Sequence, residues 1–161
     1  MAIDPKSAFL PSIHAYCSTN ALCASFAVDR AKQATVTLEF AQKRSSGSGY
    51  DWKEKVGFQL TQGDLAELTA FMFFPSTSLR LVHRSGAGTL KGLDVTRQGE
   101  KFVFELSISG QRFAVPIVPK DQYFLKNLLL SRLIEIQPDL PYEFHLESLR
   151  QLAEVVDRRR A

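Results

Sequence analysis

The chain has 161 residues, 45% of them hydrophobic and 23% charged, the proportions of a single globular domain with material for a core. Its formal charge is +3; Arg158-Arg159-Arg160 supply a large part of this, so the body is close to neutral and charge alone demands no polyanionic partner. No apolar run approaches the roughly 18 residues of a membrane span, and the N-terminus has neither a secretory apolar region nor the Arg/Ser-rich, acid-poor character of a transit peptide, so a cytoplasmic protein with no membrane partner is expected.

Met1 to Pro11 holds two prolines and little periodicity and reads as an arm. Ser12 to Arg30 is rich in Ala, Cys, Ser and aromatic residues and reads as one long strand, or as two strands broken near Ser18-Thr19-Asn20. It holds both cysteines, Cys17 and Cys23. On one continuous strand they stand roughly 20 Å apart at about 3.3 Å per residue, beyond the about 7 Å that a disulfide tolerates. Without CxxC or neighbouring His spacing they make no zinc site either. Ala34 to Phe40 alternates, with Val36, Leu38 and Phe40 pointing one way and Thr35, Thr37 and Glu39 the other. Lys43-Arg44-Ser45-Ser46-Gly47-Ser48-Gly49 is a turn or flexible loop, after which Val56, Phe58 and Leu60 alternate again.

At Thr61 the period changes. Thr61 and Asp64 form an acid-containing variant of the capping box. Leu65, Leu68 and Met72 follow at helical spacing, and Pro75 ends a helix of about three turns. The second half repeats the plan. Leu79 and Leu81 alternate, Gly86 and Gly88 turn the chain, and Leu90 to Val95 is a strand with a break or bulge at Gly92. Phe102, Phe104, Leu106 and Ile108 share one face of the clearest strand; Ser109-Gly110-Gln111 is a hairpin turn, and Phe113, Val115 and Ile117 follow. Pro116 places that last strand at an edge or near a strand end. Pro119 opens a helix from about Lys120 to Ile136, and a final helix covers about Leu146 to Arg158. The expected class is α+β: two antiparallel sheets of about four strands, a helix after each, and a C-terminal helix. The second helix is apolar on most sides, which calls either for another subunit or for a place clasped between two sheets.

Several of these segments together resemble the Whirly family of single-stranded DNA-binding proteins and, through its fold, a family of coactivators. The segments are Val36-Thr37-Leu38-Glu39-Phe40-Ala41, the Ser/Gly loop, Tyr50-Asp51-Trp52-Lys53-Glu54-Lys55, and Phe58-Gln59-Leu60-Thr61 with Leu65-Ala66-Glu67-Leu68. Further on, Phe113-Ala114-Val115-Pro116-Ile117, Lys120-Asp121-Gln122-Tyr123-Phe124 and Pro138-Asp139-Leu140 fall in the family's order. The family's Lys-Gly-Lys-Ala-Ala-Leu motif after a Tyr is matched by Tyr16-Cys17-Ser18-Thr19-Asn20-Ala21-Leu22, with Cys17 and Thr19 where the family has lysines. The resemblance implies a Whirly-like domain over residues 12–140, preceded by an arm (1–11) and followed by a helix and basic tail (141–161). It also implies a pair of four-stranded sheets, a homotetramer assembled through helices, and single strands held over the sheet faces.

Sequence-tolerant single-strand binding needs cations for phosphates and aromatic faces for unpaired bases. The candidates are Tyr16, Phe26, Phe40, Tyr50 and Trp52 with Arg30, Lys32, Lys43, Arg44, Lys53, Lys55 and Lys91, though the parity of Phe40 favours the core. His14, His83 and His145 are scattered, and no HExxH, GxSxG, phosphate-loop or paired-carboxylate motif is present. The chain reads as a binder of single-stranded DNA, or of RNA by the same surface, with no catalytic residue, cofactor or metal. The alternative is a scaffold of the same fold that engages proteins instead.

Overall fold

Alternating apolar residues bounded by glycine- and serine-rich turns produce eight strands, and the computed structural model, which describes residues 11–160, arranges them in two sheets. The expected arm over residues 1–11 therefore lies, Pro11 apart, outside the described residues. The first sheet holds β1 (Ser12–Tyr16), β2 (Asn20–Val28), β3 (Ala34–Gln42) and β4 (Val56–Gln59) in that order, all antiparallel. Helix α1 (Gln62–Phe73) leads to the second sheet of β5 (Ser78–Arg84), β6 (Leu90–Gln98), β7 (Lys101–Ile108) and β8 (Gln111–Ile117), again antiparallel and in chain order. Helices α2 (Pro119–Ile136) and α3 (Tyr142–Arg160) follow. This is the expected α+β arrangement. The 12–30 segment is two strands, because Cys17 to Thr19 turn back on themselves through the bond from Cys17 N to Asn20 O (2.9 Å).

The core forms where the inner faces meet. Leu22, Leu38, Phe40 and Phe58 from the first sheet join Leu79, Leu93, Phe104, Leu106 and Val115 from the second in one buried cluster with Leu65, Leu68 and Leu129 of the helices. Phe40 is fully buried and lies 6.4 Å from the Phe113 ring, as its parity predicts. Polar ties also join the halves. The Asn20 amide donates to Ala114 O (3.2 Å), Lys91 Nζ donates to Gly57 O (2.6 Å), and His83 meets Asp64 Oδ2 at 2.5 Å while stacking on Phe58 at 4.1 Å.

The helix ends follow the sequence signals. Thr61 Oγ1 accepts from Asp64 N and Asp64 Oδ2 accepts from Thr61 N, each at 3.0 Å, a complete capping box. Pro119 stands at the first position of α2, where its missing N–H costs nothing. The second helix is clasped by its own chain: Leu125 and Leu129 enter the main core, and Leu130 joins Ala70 of α1 with Leu149 and Ala153 of α3 in a smaller cluster. Tyr123 and Phe124 remain exposed at its start.

Three expectations need correction. Strand β6 has no bulge at Gly92, which pairs regularly with Val82 and Ser107. A Cβ there would lie 3.1 Å from Arg80 Nη2, so the glycine makes room for the guanidinium that Asp94 holds at 2.6 Å. Helix α3 begins at Tyr142 and not near Leu146, because its first turn carries exposed Tyr142 and Phe144 and so lacks the buried stripe that marks the rest. The three terminal arginines continue that helix through Arg160 and form no separate tail.

Candidate nucleic-acid interface

Strand parity decides which side chains of the first sheet leave the core. Ile13, Ala15, Leu22, Ala24, Leu38 and Phe40 point inward, so the paired rows Tyr16–Ala21–Ala41, His14–Cys23–Glu39 and Ser12–Ser25–Thr37–Gln59 point outward. Ala21 and Ala41 are nonetheless fully buried. The cover comes from the 50–55 segment. A bridge between Lys43 and Tyr50 closes the Ser/Gly loop, Asp51 N donates to Gln42 O (2.8 Å), and Trp52 opens a single turn of 3₁₀ helix, Trp52–Glu54. From there the indole crosses the face and meets His14 edge-on, ring centroids 5.8 Å apart. Gly47 and Gly49 have φ of 78° and 92°, which lets the loop close within a few residues.

An aromatic ladder results. Tyr16 stacks on Tyr50 at 5.4 Å and on His14 at 6.0 Å, and the Tyr50 hydroxyl donates to Cys17 O. Tyr16 is nonetheless 57% exposed, so much of the ring is accessible to a partner. Beside the ladder, Arg44 and Lys53 line a depression of about 380 Å³ with Ser45, Ser46 and Asp51. Lys43, Arg44 and Lys53 are exposed and enter no ion pair among the described residues.

The sequence candidates therefore divide. Tyr16, Lys43, Arg44, Tyr50, Trp52 and Lys53 come together at one end of the first sheet. Lys55 borders them but meets Glu39 Oε2 at 2.5 Å; the hydrogen bond with Glu39, then its charge, raise the lysine pKa above its ordinary value. Arg30 is exposed in the β2–β3 turn at the far end of the same face. Lys91 faces the interior side of its sheet and is engaged with Gly57 O. Phe26 packs under the Arg132 guanidinium at 4.4 Å. Sequence reasoning passed over His14; the signal was its spacing of two from Tyr16, which sets both rings on one face of a strand. It also missed Arg132, a polar residue within an apolar helix, which is buried and donates to Thr35 O (3.0 Å) and Ala27 O (2.6 Å).

At the positions where the resembled motif has lysines, Cys17 and Thr19 form a hydrogen-bonded turn. Burial pushes the Cys17 thiol up, but the Thr19 hydroxyl and the backbone of Thr19 and Asn20 together outweigh it and hold the thiol below its ordinary value. Cys23 is buried, which raises its pKa, and both thiols are free. On the second sheet the corresponding outer face is charge-paired, Arg80 with Asp94 (2.6 Å) and Arg112 with Glu105 (3.9 Å). Among the described residues no group of three His, Cys, Asp or Glu side chains is placed to hold a metal, and no helix is long and apolar enough to cross a membrane. Comparison with family models, curated proteins and solved structures finds no match to this chain.

Proposed function

We propose that the protein binds single-stranded DNA with little sequence specificity, as a homo-oligomer and most simply a tetramer, in the protection, repair, replication or transfer of single strands. The observation that carries this reading is the ladder of His14, Tyr16, Tyr50 and Trp52 beside the unpaired Lys43, Arg44 and Lys53. Any base offers a π-face to Tyr16, and the cations meet phosphates, so contact needs no base identity. The resemblance of the sequence to the Whirly family adds support, and exposed Tyr123, Phe124, Tyr142 and Phe144 on the helices suit self-association. The surface is formed by rings packed on one another and not by a deep pocket, which suits holding a strand without chemistry.

Trp52 is the only tryptophan, so its fluorescence reports binding directly. Titration with oligo(dT) at low salt is expected to quench it, with log affinity falling against log salt at about 0.7 per phosphate contacted. Tyr16→Ala, at an exposed position, is expected to weaken binding by about 1–3 kcal/mol. Absence of binding at low salt, or binding indifferent to salt, overturns the reading. Light scattering gives the assembly mass.

One observation favours a second reading. The Cys17–Thr19 turn offers no cation where the resembled motif has two, which suits a scaffold of the same fold that engages proteins. The same titration separates the readings, and oligo(U) in parallel separates RNA from DNA.

A further inference from the structure

The outer face of the first sheet extends well past its aromatic end. Strand β2 has nine residues, so the face is about 30 Å long at about 3.3 Å per residue. It runs from the Cys17–Thr19 turn to the Asp29–Gln33 turn. Along it the side chains change character. Beyond the aromatic rows, Ser12, Ser25, Thr37 and Gln59 form a row without bulk or charge. Between them stands Glu39, whose carboxylate Lys55 neutralises at 2.5 Å.

The far turn is locked in shape. Asp29 N donates to Gln33 O (2.9 Å), Lys32 N to Asp29 O (2.9 Å) and Gln33 N to Asp29 Oδ1 (2.8 Å). The only carboxylate of the turn is thereby engaged with its own backbone. Lys32 holds a left-handed φ of 61°. Arg30 and Lys32 are exposed and enter no ion pair among the described residues.

A crosswise path is obstructed on the β4 side. Trp52 lies across the face to His14, and the 3₁₀ turn and the Lys55–Glu39 pair stand on the β4 side. The lengthwise path passes over the Trp52 ring, a stacking surface in its own right, and has at each end exposed cations that enter no ion pair among the described residues. We propose that a single strand lies lengthwise along β2 and β3, and that Arg30 and Lys32 form a second phosphate anchor opposite Lys43, Arg44 and Lys53. This rests on the reading of the face as a single-strand site. It adds a direction and a minimum ligand length, because only a strand long enough to span the face meets both anchors.

The test is an oligo(dT) length series from about 4 to about 12 nucleotides, within the range that single-strand modules occupy, read by Trp52 fluorescence. The wild type is compared with an Arg30→Gln/Lys32→Asn double variant; Asn tolerates the left-handed backbone at position 32, so the turn keeps its shape. The wild type is expected to gain affinity in a step once the oligomer spans both ends. The variant is expected to bind short oligomers like the wild type, to lose the step, and to show a salt slope for long oligomers reduced by about 0.7 for each contact removed. A variant that binds every length as the wild type does overturns the second anchor and leaves the single-strand reading standing. A wild type that binds no length overturns both.

Discussion

Lys55 is the cation of the face whose availability depends on one neighbour. Glu39 stands at the centre of the outward row and takes the ammonium at 2.5 Å. An exposed pair of this kind adds little stability, but it removes one positive charge from the surface a phosphate meets. Glu39→Gln is therefore expected to leave the denaturation midpoint nearly unchanged, to tighten binding to oligo(dT), and to steepen the salt slope by about 0.7; an unchanged slope means that Lys55 points away from the strand. The two thiols differ as well. Hydrogen bonding outweighs burial at Cys17 and lowers its pKa, whereas burial raises that of Cys23. Because the thiolate is the reacting species, alkylation followed by mass spectrometry is expected to label Cys17 first. Its rate midpoint should lie below that of an ordinary free cysteine, with Cys23 protected until unfolding. The sign follows from the folded thiolate being favoured: its contribution to stability is present above the unfolded pKa and is lost as pH falls through the folded one.

At the scale of elements, Asp64 serves two structures at once. Its carboxylate closes the capping box with Thr61 N at 3.0 Å and meets His83 Nε2 of β5 at 2.5 Å, so the start of α1 is tied to the edge of the second sheet. Thr61→Ala removes only the cap and is expected to cost about 0.5–2 kcal/mol. Asp64→Ala removes the cap and leaves the half-buried His83 ring without its partner, so its loss in urea denaturation should exceed that of Thr61→Ala. Equal losses show that the contact with His83 contributes nothing. Turn chemistry acts at the same scale. Ser109 and Gly110 take φ of 48° and 78°, both in the left-handed region that a two-residue hairpin with the proper twist requires, and Ile108 pairs directly with Gln111.

In the whole molecule, Arg132 couples α2 to the first sheet. Its side chain is buried, donates to the carbonyls of Thr35 and Ala27, pairs with Glu135 Oε2 at 2.6 Å, and lies over the Phe26 ring. Arg132→Met keeps much of the volume but leaves both carbonyls without their donor, at about 1–3 kcal/mol for each. A urea midpoint shifted by less than one such bond means that water takes the place of the guanidinium. Because this anchor reaches the ends of β2 and β3, its loss is also expected to loosen the Asp29–Gln33 turn and to speed amide exchange there.

Local chemistry alone determined most of the elements: the alternation at Val36, Leu38 and Phe40 set the core side of β3, Thr61 and Asp64 placed the start of α1, and Pro119 opened α2. These signals are legible because each depends on neighbours within a few residues. Gly92 misled, since its reason is the Arg80 guanidinium on the adjacent strand and not a bulge in its own. Of the candidate site, the rings and cations of residues 43–53 were legible as a composition, but their meeting with His14 and Tyr16 was not. Only the tertiary structure brought them together, by folding the Tyr50–Lys55 segment back over β2 and β3. It also decided which cations are free: Lys53 faces solvent, Lys55 meets Glu39 and Lys91 meets Gly57, three lysines that the sequence alone does not distinguish. The partner of a long flexible side chain is set by strand pairing and sheet contact, at separations that no local pattern records.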